Sequence, residues 1–178
     1  LERRAAGRAP GSWGVILDAD ETVIDNAQYQ QERAQAGLPY TDESWNDWVR
    51  REAATALPGA AAFVARVRAL GGRAVIVTNR DAVVCDATRA NLRALAIEVD
   101  AVLCREPGPS DKNPRFRAVA SGTAPSPLPP LDVVMWVGDN VGDFPGQSQA
   151  IRERPDSAFA EFGRAWTVLP NPMYGSWE

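Results

Sequence analysis

Two groups of acidic residues follow apolar runs of the sequence at a spacing that suits carboxylate chemistry. Asp18 and Asp20 close the run VILDAD, and Asp139 and Asp143 follow the run VVMWV. An isolated Asp-x-Asp pair is more often a turn or a helix cap, and a calcium loop is excluded because Val23 stands where its sharp turn requires glycine. If all four carboxylates share one pocket, their repulsion destabilises the fold unless a hard cation such as Mg²⁺ is present. A metal held by carboxylates beside a free Asp suits phosphoryl transfer.

The composition excludes several other kinds of chemistry. The 178-residue chain contains no histidine, so Ser/His/Asp and Cys/His triads and His-ligated zinc are ruled out. The formal net charge is −4 and the basic residues are scattered, which argues against a nucleic-acid polymer as partner. No apolar stretch reaches the roughly 18 residues that a membrane span requires. Catalysis must therefore use carboxylates, hydroxyls, lysine, arginine or the backbone.

The order of the apolar and helical patterns predicts an α/β fold. Short β-branched runs, each typical of a strand buried on both faces, alternate with helical patterns that are clearest at residues 60–70 and 83–95. This alternation indicates a Rossmann-like parallel sheet flanked by helices, in which ligands bind at the carboxyl ends of the strands. Polar residues follow three of the runs: Asp18, Thr78 with Asn79, and Asp139. The predicted strands cover residues 15–17, 74–77, 101–103, 133–137 and 166–169.

The distance between the first two predicted strands indicates an insertion. A simple βαβ unit needs roughly 30 residues, and the interval from Asp18 to Thr78 is about twice that. We expect a catalytic core formed by residues 1–25 and 59–178, and a small, mostly helical cap formed by residues 26–58. The Pro-rich segment SGTAPSPLPP at residues 121–130 is predicted to be a surface connector.

Lysine and cysteine are rare in this chain. Lys112 is the single lysine beside eighteen arginines, which suggests that an ammonium group is specifically needed there, although one lysine is often only a solvated surface group. Cys85 and Cys104 lack metal-ligand spacing. We expect both to be small buried hydrophobic residues, with a disulfide left open.

Taken in order, these motifs resemble the haloacid dehalogenase superfamily of phosphotransferases. VILDADETVIDNAQY and VVMWVGDNVGDF more narrowly resemble the signature stretches of bacterial class C acid phosphatases, which include lipoprotein nucleotidases. The resemblance extends over almost the whole chain, through SWNDWV at residues 44–49, VTNR at residues 77–80 and LPNPMYGSWE at residues 169–178. Ala19 departs from the Leu or Ile that is common there, and the segment around Lys112 is the least similar part.

The resemblance implies a role for each candidate site residue. Asp18 would be the nucleophile that forms an aspartyl-phosphate, and Asp20 the acid and base. Mg²⁺ would be bound by the Asp18 carboxylate, the Asp20 backbone carbonyl and Asp139, while Asp143 orients the metal's water shell or the lysine. The groups that would hold the phosphoryl oxygens are Thr78, Asn79 and Lys112.

The resemblance also suggests a substrate and a location. The substrate would be a small phosphomonoester, and Trp45 and Tyr174 match positions that stack on a nucleobase, which favours nucleoside monophosphates; alternatively, both residues only pack the cap. Two other hypotheses stay open. One is a broad-specificity acid phosphatase or phosphotransferase, and the other is a non-catalytic phosphate-binding or storage protein. We expect an extracytoplasmic protein and a homodimer; a removed export signal or lipid anchor stays open. Glu21 is expected to anchor the strand end to the backbone or to an arginine.

Overall fold

A five-stranded parallel sheet forms the centre of the computed structural model, which describes residues 1–175. The order of its strands is β5-β4-β1-β6-β7, and every neighbouring pair is parallel. The α/β prediction is therefore confirmed, and each predicted strand overlaps an observed one. The five strands are β1 (Trp13–Leu17), β4 (Arg73–Asp81), β5 (Ala101–Arg105), β6 (Asp132–Gly138) and β7 (Trp166–Val168), and a separate antiparallel pair is formed by β2 (Ile24–Asp25) and β3 (Thr55–Ala56).

Helices cover both faces of the sheet, because successive side chains of each strand point to opposite sides. On one face, Leu17 and Ile76 belong to a core cluster that also contains Val64 and Leu92 from two of the helices. On the other face, Ile16 packs in a cluster with the last helix. The helices are α1 (Glu2–Ala5), α2 (Ala27–Ala36), α3 (Asp42–Arg50), α4 (Ala60–Ala69), α5 (Cys85–Ala94) and α6 (Asn113–Ser121).

The turn between α4 and β4 contains the pair Gly71-Gly72. Gly71 has φ 82°, a left-handed conformation that glycine adopts without strain. A Cβ on Gly72 would lie 2.4 Å from the ring of Trp13, so this position has no room for a side chain. The pair thus lets the chain reverse directly against the start of β1.

The segment predicted as a cap contains α2 and α3, so its mostly helical character agrees with the structure. Helix α3 begins with a capping box in which Thr41 and Ser44 satisfy each other's backbone N–H groups. The indole N–H of Trp48 donates to Asn26 Oδ1 at 2.8 Å and ties α3 to the start of α2. The division of the chain into core and cap domains stays a prediction.

The two cysteines form a disulfide, which corrects the expectation that both are merely small hydrophobic residues. Cys85 at the start of α5 is bonded to Cys104 in β5, with the Cα atoms 5.9 Å apart. The two residues are separated by 19 positions, so spacing alone could not reveal that the helix start lies beside the strand.

Within residues 1–175, no helix is long and apolar enough to cross a bilayer.

Loss of the disulfide should destabilise the fold. A closed loop of this size restricts the unfolded chain, so Cys85→Ala/Cys104→Ala should lower the free energy of unfolding by about 3 kcal/mol. Urea denaturation with and without a reductant measures the effect. The double variant should not respond to reductant, and a wild-type midpoint that is equally unresponsive would contradict the prediction.

Candidate active site

The carboxyl ends of three adjacent strands bring the predicted site residues together. Strand β1 lies between β4 and β6, so the residues that end these strands share one edge of the sheet. Asp18 directly follows β1, and Asp139 directly follows β6. A cleft of about 1110 Å³ opens at this edge, and the residues that line it include Asp18, Asp20, Lys112, Asp139 and Asp143.

Lys112 forms the centre of the site by bridging two carboxylates. Its Nζ donates to Asp18 Oδ1 at 2.5 Å and to Asp143 Oδ1 at 2.6 Å. The lysine is only 4% exposed, and both aspartates are buried as well. The sequence segment least similar to the family therefore delivers a buried ammonium to the nucleophile candidate.

The charge balance at this point shifts the pKa of both partners. Burial raises the pKa of Asp18 well above its ordinary value; the Lys112 charge acts in the opposite direction, and the neighbouring carboxylates add to the increase. Burial alone would lower the pKa of Lys112, but Asp18 and Asp143 more than offset this effect, so its pKa is raised. One ammonium therefore does not fully compensate the buried carboxylates.

Three of these carboxylates form a set that can hold a metal ion. One oxygen each from Asp18, Asp139 and Asp143 lies within 4.8 Å of the others. Burial raises the pKa of Asp139, although its Oδ2 accepts a hydrogen bond of 2.8 Å from Asn171 Nδ2. Buried oxygen donors that repel one another suit a hard divalent cation. Within the described residues, the Asp20 carboxylate is not part of this set, and the backbone-carbonyl role of Asp20 stays a prediction.

The Gly-Asp-Asn-Val-Gly-Asp motif positions Asp143 through its backbone. The Asp143 carboxylate accepts from the backbone N–H of Asn140 at 2.9 Å. The Asn140 side chain in turn accepts from the backbone N–H of Gly142 at 3.0 Å. A Cβ on Gly138 would lie 2.2 Å from Asp143 Oδ2, so only glycine leaves space for this carboxylate.

Asp20 is held by Arg80, to which the sequence motifs assign no role. Arg80 donates to Asp20 Oδ1 from Nη2 at 2.7 Å, and Asn26 donates to the same oxygen at 2.9 Å. Arg80 belongs to the VTNR segment at residues 77–80. It lies two residues after Thr78 on β4, so both side chains point to the same side of the strand, and both are buried. Asp18 and Asp20 thus have different cationic partners.

Glu21 fixes the loop that follows β1. Its Oε1 accepts from the backbone N–H of Asn26 at 2.9 Å, which confirms the expected anchoring to the backbone. The residue has φ 51°, a conformation unusual for a side chain larger than glycine. Burial raises the pKa of Glu21 to about 8.

The three candidate phosphate-binding residues have different surroundings. The Thr78 side chain is fully buried, and its Oγ1 accepts from the backbone N–H of Arg80 at 3.1 Å. Asn79 lines the cleft, where its Oδ1 accepts from Arg115 Nη2 at 2.6 Å. Arg115, which also donates to the Thr78 carbonyl, had no distinguishing signal among eighteen arginines. Lys112 is the third candidate and lies directly on the Asp18 carboxylate.

Aromatic residues line the outer part of the cleft. Trp45 on α3 lies there with Tyr40, and their ring centroids are 6.3 Å apart. Tyr29 packs edge-on against Trp45 at 5.0 Å. Tyr174 from the C-terminal segment also lines the cleft, so both predicted stacking residues reach it. Residues 176–178 of the tail motif lie outside the described residues.

Comparison with known proteins agrees with the sequence resemblance. A family model described as "HAD superfamily, subfamily IIIB (Acid phosphatase)" matches residues 4–177. The structure of the class C acid phosphatase from Bacillus anthracis shares 30% sequence identity at a TM-score of 0.79, covering 97% of this chain and 72% of that chain. The same protein with tungstate bound gives 29% identity and a TM-score of 0.82, covering 99% of this chain and 73% of that chain.

Proposed function

This chain belongs to the haloacid dehalogenase (HAD) superfamily, subfamily IIIB acid phosphatases, and on that premise we propose that it is a Mg²⁺-dependent phosphomonoesterase with Asp18 as nucleophile. Members of this family are phosphoric monoester hydrolases. The observation that carries the proposal is the buried Asp18 carboxylate at a strand end, held by Lys112 and lying within 4.8 Å of two further carboxylates. A nucleophile, a cation for phosphate and a metal-ligand set thus meet in one cleft.

The donor set fits Mg²⁺, because it consists of carboxylate oxygens whose mutual repulsion a hard cation would relieve. The Asp18 and Asp139 carboxylates and the Asp20 backbone carbonyl would hold the ion. Asp143 would orient its water shell while keeping Lys112 in place. When bound, the ion supplies positive charge that offsets the repulsion between the phosphate and the attacking carboxylate.

The side chains of this protein supply the remaining steps. Asp18 forms a bond to phosphorus as the bond from phosphorus to the leaving oxygen breaks, and Asp20 donates a proton to that oxygen. Water then attacks the aspartyl-phosphate, Asp20 takes a proton from this water, and phosphate is released as the bond from the Asp18 oxygen to phosphorus breaks. The groups that would bind the phosphoryl oxygens are Thr78, Asn79 and Lys112. Tungstate is a phosphate-like oxyanion, and its binding to the Bacillus anthracis relative supports an oxyanion site here.

The outer cleft favours a nucleoside monophosphate as substrate. Trp45 and Tyr174 line the same cleft as Asp18, so a base held by aromatic faces could extend from a phosphate on the nucleophile. A smaller phosphomonoester would use only the inner part of the cleft, and this is the broad-specificity alternative. The retained Asp18, Asp20 and Asp139 disfavour a non-catalytic phosphate-binding protein.

The disulfide supports an extracytoplasmic location. Disulfides persist in oxidising compartments such as the periplasm and the exterior of the cell, and they are rare in the cytosol. We therefore propose a periplasmic, envelope-associated or secreted enzyme. The homodimer is carried forward as a prediction from the resemblance alone.

Removal of either central carboxylate tests the mechanism. Asp18→Asn should show no turnover of 4-nitrophenyl phosphate because it lacks the nucleophile. Asp20→Asn should lose about 10²- to 10⁴-fold in kcat because no base takes the proton of the water that hydrolyses the aspartyl-phosphate. The surface variant Asp86→Asn controls for the chemical change, since the Asp86 side chain is fully exposed. Unaltered unfolding curves show that the fold persists, and full activity of Asp18→Asn would exclude the mechanism.

The metal proposal predicts opposite effects of Asp139→Asn with and without Mg²⁺. Without metal, the variant should melt at the same or a higher temperature than wild type, because one buried like charge is gone while the amide oxygen can still accept from Asn171. At 100-fold excess over its Kd, Mg²⁺ should stabilise wild type by about 2.7 kcal/mol and the variant by less. Thermal melts in EDTA and in MgCl₂ measure both effects. An identical Mg²⁺ response in the two proteins would argue against this ligand set.

Nucleobase stacking predicts a substrate-dependent effect of Trp45→Ala. The variant should lose about 1 to 3 kcal/mol of transition-state binding, measured by kcat/KM, with a purine nucleoside monophosphate and little with a sugar phosphate. Trp45→Phe keeps an aromatic face and should retain most of the preference. Equal losses on both substrates would show that Trp45 only packs the cap.

A further inference from the structure

Arg80 joins two neighbouring strand ends at the cleft. It lies near the end of β4, which pairs directly with β1, and it contacts Asp20, sixty positions away in the loop after β1. Only 1% of the Arg80 side chain is exposed. Arginine is almost never fully buried unless it is paired, and the charged partner of Arg80 is Asp20.

Arg80 and Asn26 together donate more hydrogen bonds to Oδ1 of Asp20 than to Oδ2. Oδ1 accepts from Arg80 Nη2 at 2.7 Å, from Arg80 Nε at 2.9 Å and from Asn26 Nδ2 at 2.9 Å. Among the described residues, Oδ2 accepts only from Arg80 Nε, at 3.2 Å. Oδ1 is therefore saturated with donors, whereas Oδ2 keeps capacity for a group in the cleft that Asp20 lines.

The position of the Arg80 guanidinium is itself fixed from several sides. Nη2 donates to Asn26 Oδ1 at 3.1 Å, and Nη1 lies 3.4 Å from Thr88 Oγ1. Its central carbon lies 5.6 Å from the centroid of the Trp45 ring, within the range of a cation–π interaction. A side chain restrained in this way can hold a catalytic group in one geometry.

We propose that Arg80 is a positioning residue: its guanidinium holds Oδ1 of Asp20 so that Oδ2 is presented to the oxygen of the leaving group. The inference rests on the proposed function, which gives Asp20 the proton-transfer role. As the bond from phosphorus to the leaving oxygen breaks, the proton on Oδ2 moves to that oxygen and leaves Asp20 as a carboxylate. In the second step Oδ2 takes a proton from the attacking water.

This role makes the effect of Arg80 dependent on the leaving group. An alkoxide leaves poorly unless it is protonated, whereas 4-nitrophenolate leaves as a stabilised anion. The value of kcat/KM includes all steps up to release of the leaving group, so it reports the step in which Oδ2 donates. A general loss of packing would lower kcat/KM by the same factor for both kinds of substrate.

The experiment compares kcat/KM for glycerol 2-phosphate and for 4-nitrophenyl phosphate in two variants. Arg80→Met removes the guanidinium, and the alkyl substrate should lose about 10²-fold more than the aryl substrate. Arg80→Lys keeps the charge without the planar fork and should show a smaller difference in the same direction. Removal of one partner from a buried pair can unfold a protein, so Arg80→Lys decides the question if Arg80→Met does not fold.

Arg73→Lys is a matched control on the same strand. Arg73 begins β4 at the opposite end of the sheet, and it also pairs with an aspartate, Asp100, at 2.8 Å. The ratio of the two kcat/KM values should stay at the wild-type value in this variant. Folded Arg80 variants that lose the same factor on both substrates would overturn the positioning role, and so would a ratio change of equal size in Arg73→Lys.

Asp20→Asn separates this inference from the proposed function. If its alkyl-to-aryl ratio falls while that of the Arg80 variants does not, Asp20 transfers the proton but Arg80 does not position it. An unchanged ratio in Asp20→Asn would overturn the acid role of Asp20, and the role of Arg80 with it. A fall of the ratio in both positions, absent in Arg73→Lys, is the expected result.

Discussion

The rest of the site depends on the buried Lys112 ammonium, whose single positive charge lies among several carboxylates. Lys112 contacts both Asp18 and Asp143, and Asp139 lies close to the same pair. Desolvation makes these charges costly, and the raised pKa values of Asp18 and Asp139 show that a single lysine does not compensate them. The fold keeps a cluster that opposes its own stability, which is typical of a site that binds a cation and reacts there.

The parallel sheet can hold this cluster because its central strands are rigid. All five residues of β1 are buried, and both neighbouring strands pair with it, so its carboxyl end has little freedom to relax away from the other charges. Gly138 completes the arrangement by leaving space for Asp143. The packing energy of the apolar strands is thus what opposes the repulsion at their ends.

The strands and the site carboxylates can be predicted from the sequence because both have local signals. Apolar runs mark the strands, and Asp18 and Asp139 follow them directly. The hydrogen-bond partners of these carboxylates cannot be predicted in the same way. Arg80 contacts Asp20 only because β4 lies next to β1, and Asn171 contacts Asp139 only because of the path of the C-terminal segment. Sequence spacing does not reveal the disulfide for the same reason, since pairing across α5 and β5 is a property of tertiary structure.

The two carboxylates that we propose as nucleophile and as acid and base have different cationic partners. The planar guanidinium of Arg80 donates from both Nε and Nη2 to the Asp20 carboxylate, which fixes the orientation of that carboxylate. An ammonium has three N–H donors without such planarity, and Lys112 uses two of them on carboxylates from different strand ends. Among the described residues the third donor has no protein partner, so a phosphoryl oxygen can use it. A chain with eighteen arginines therefore has its lysine where a bridging point charge is required, and an arginine where orientation matters.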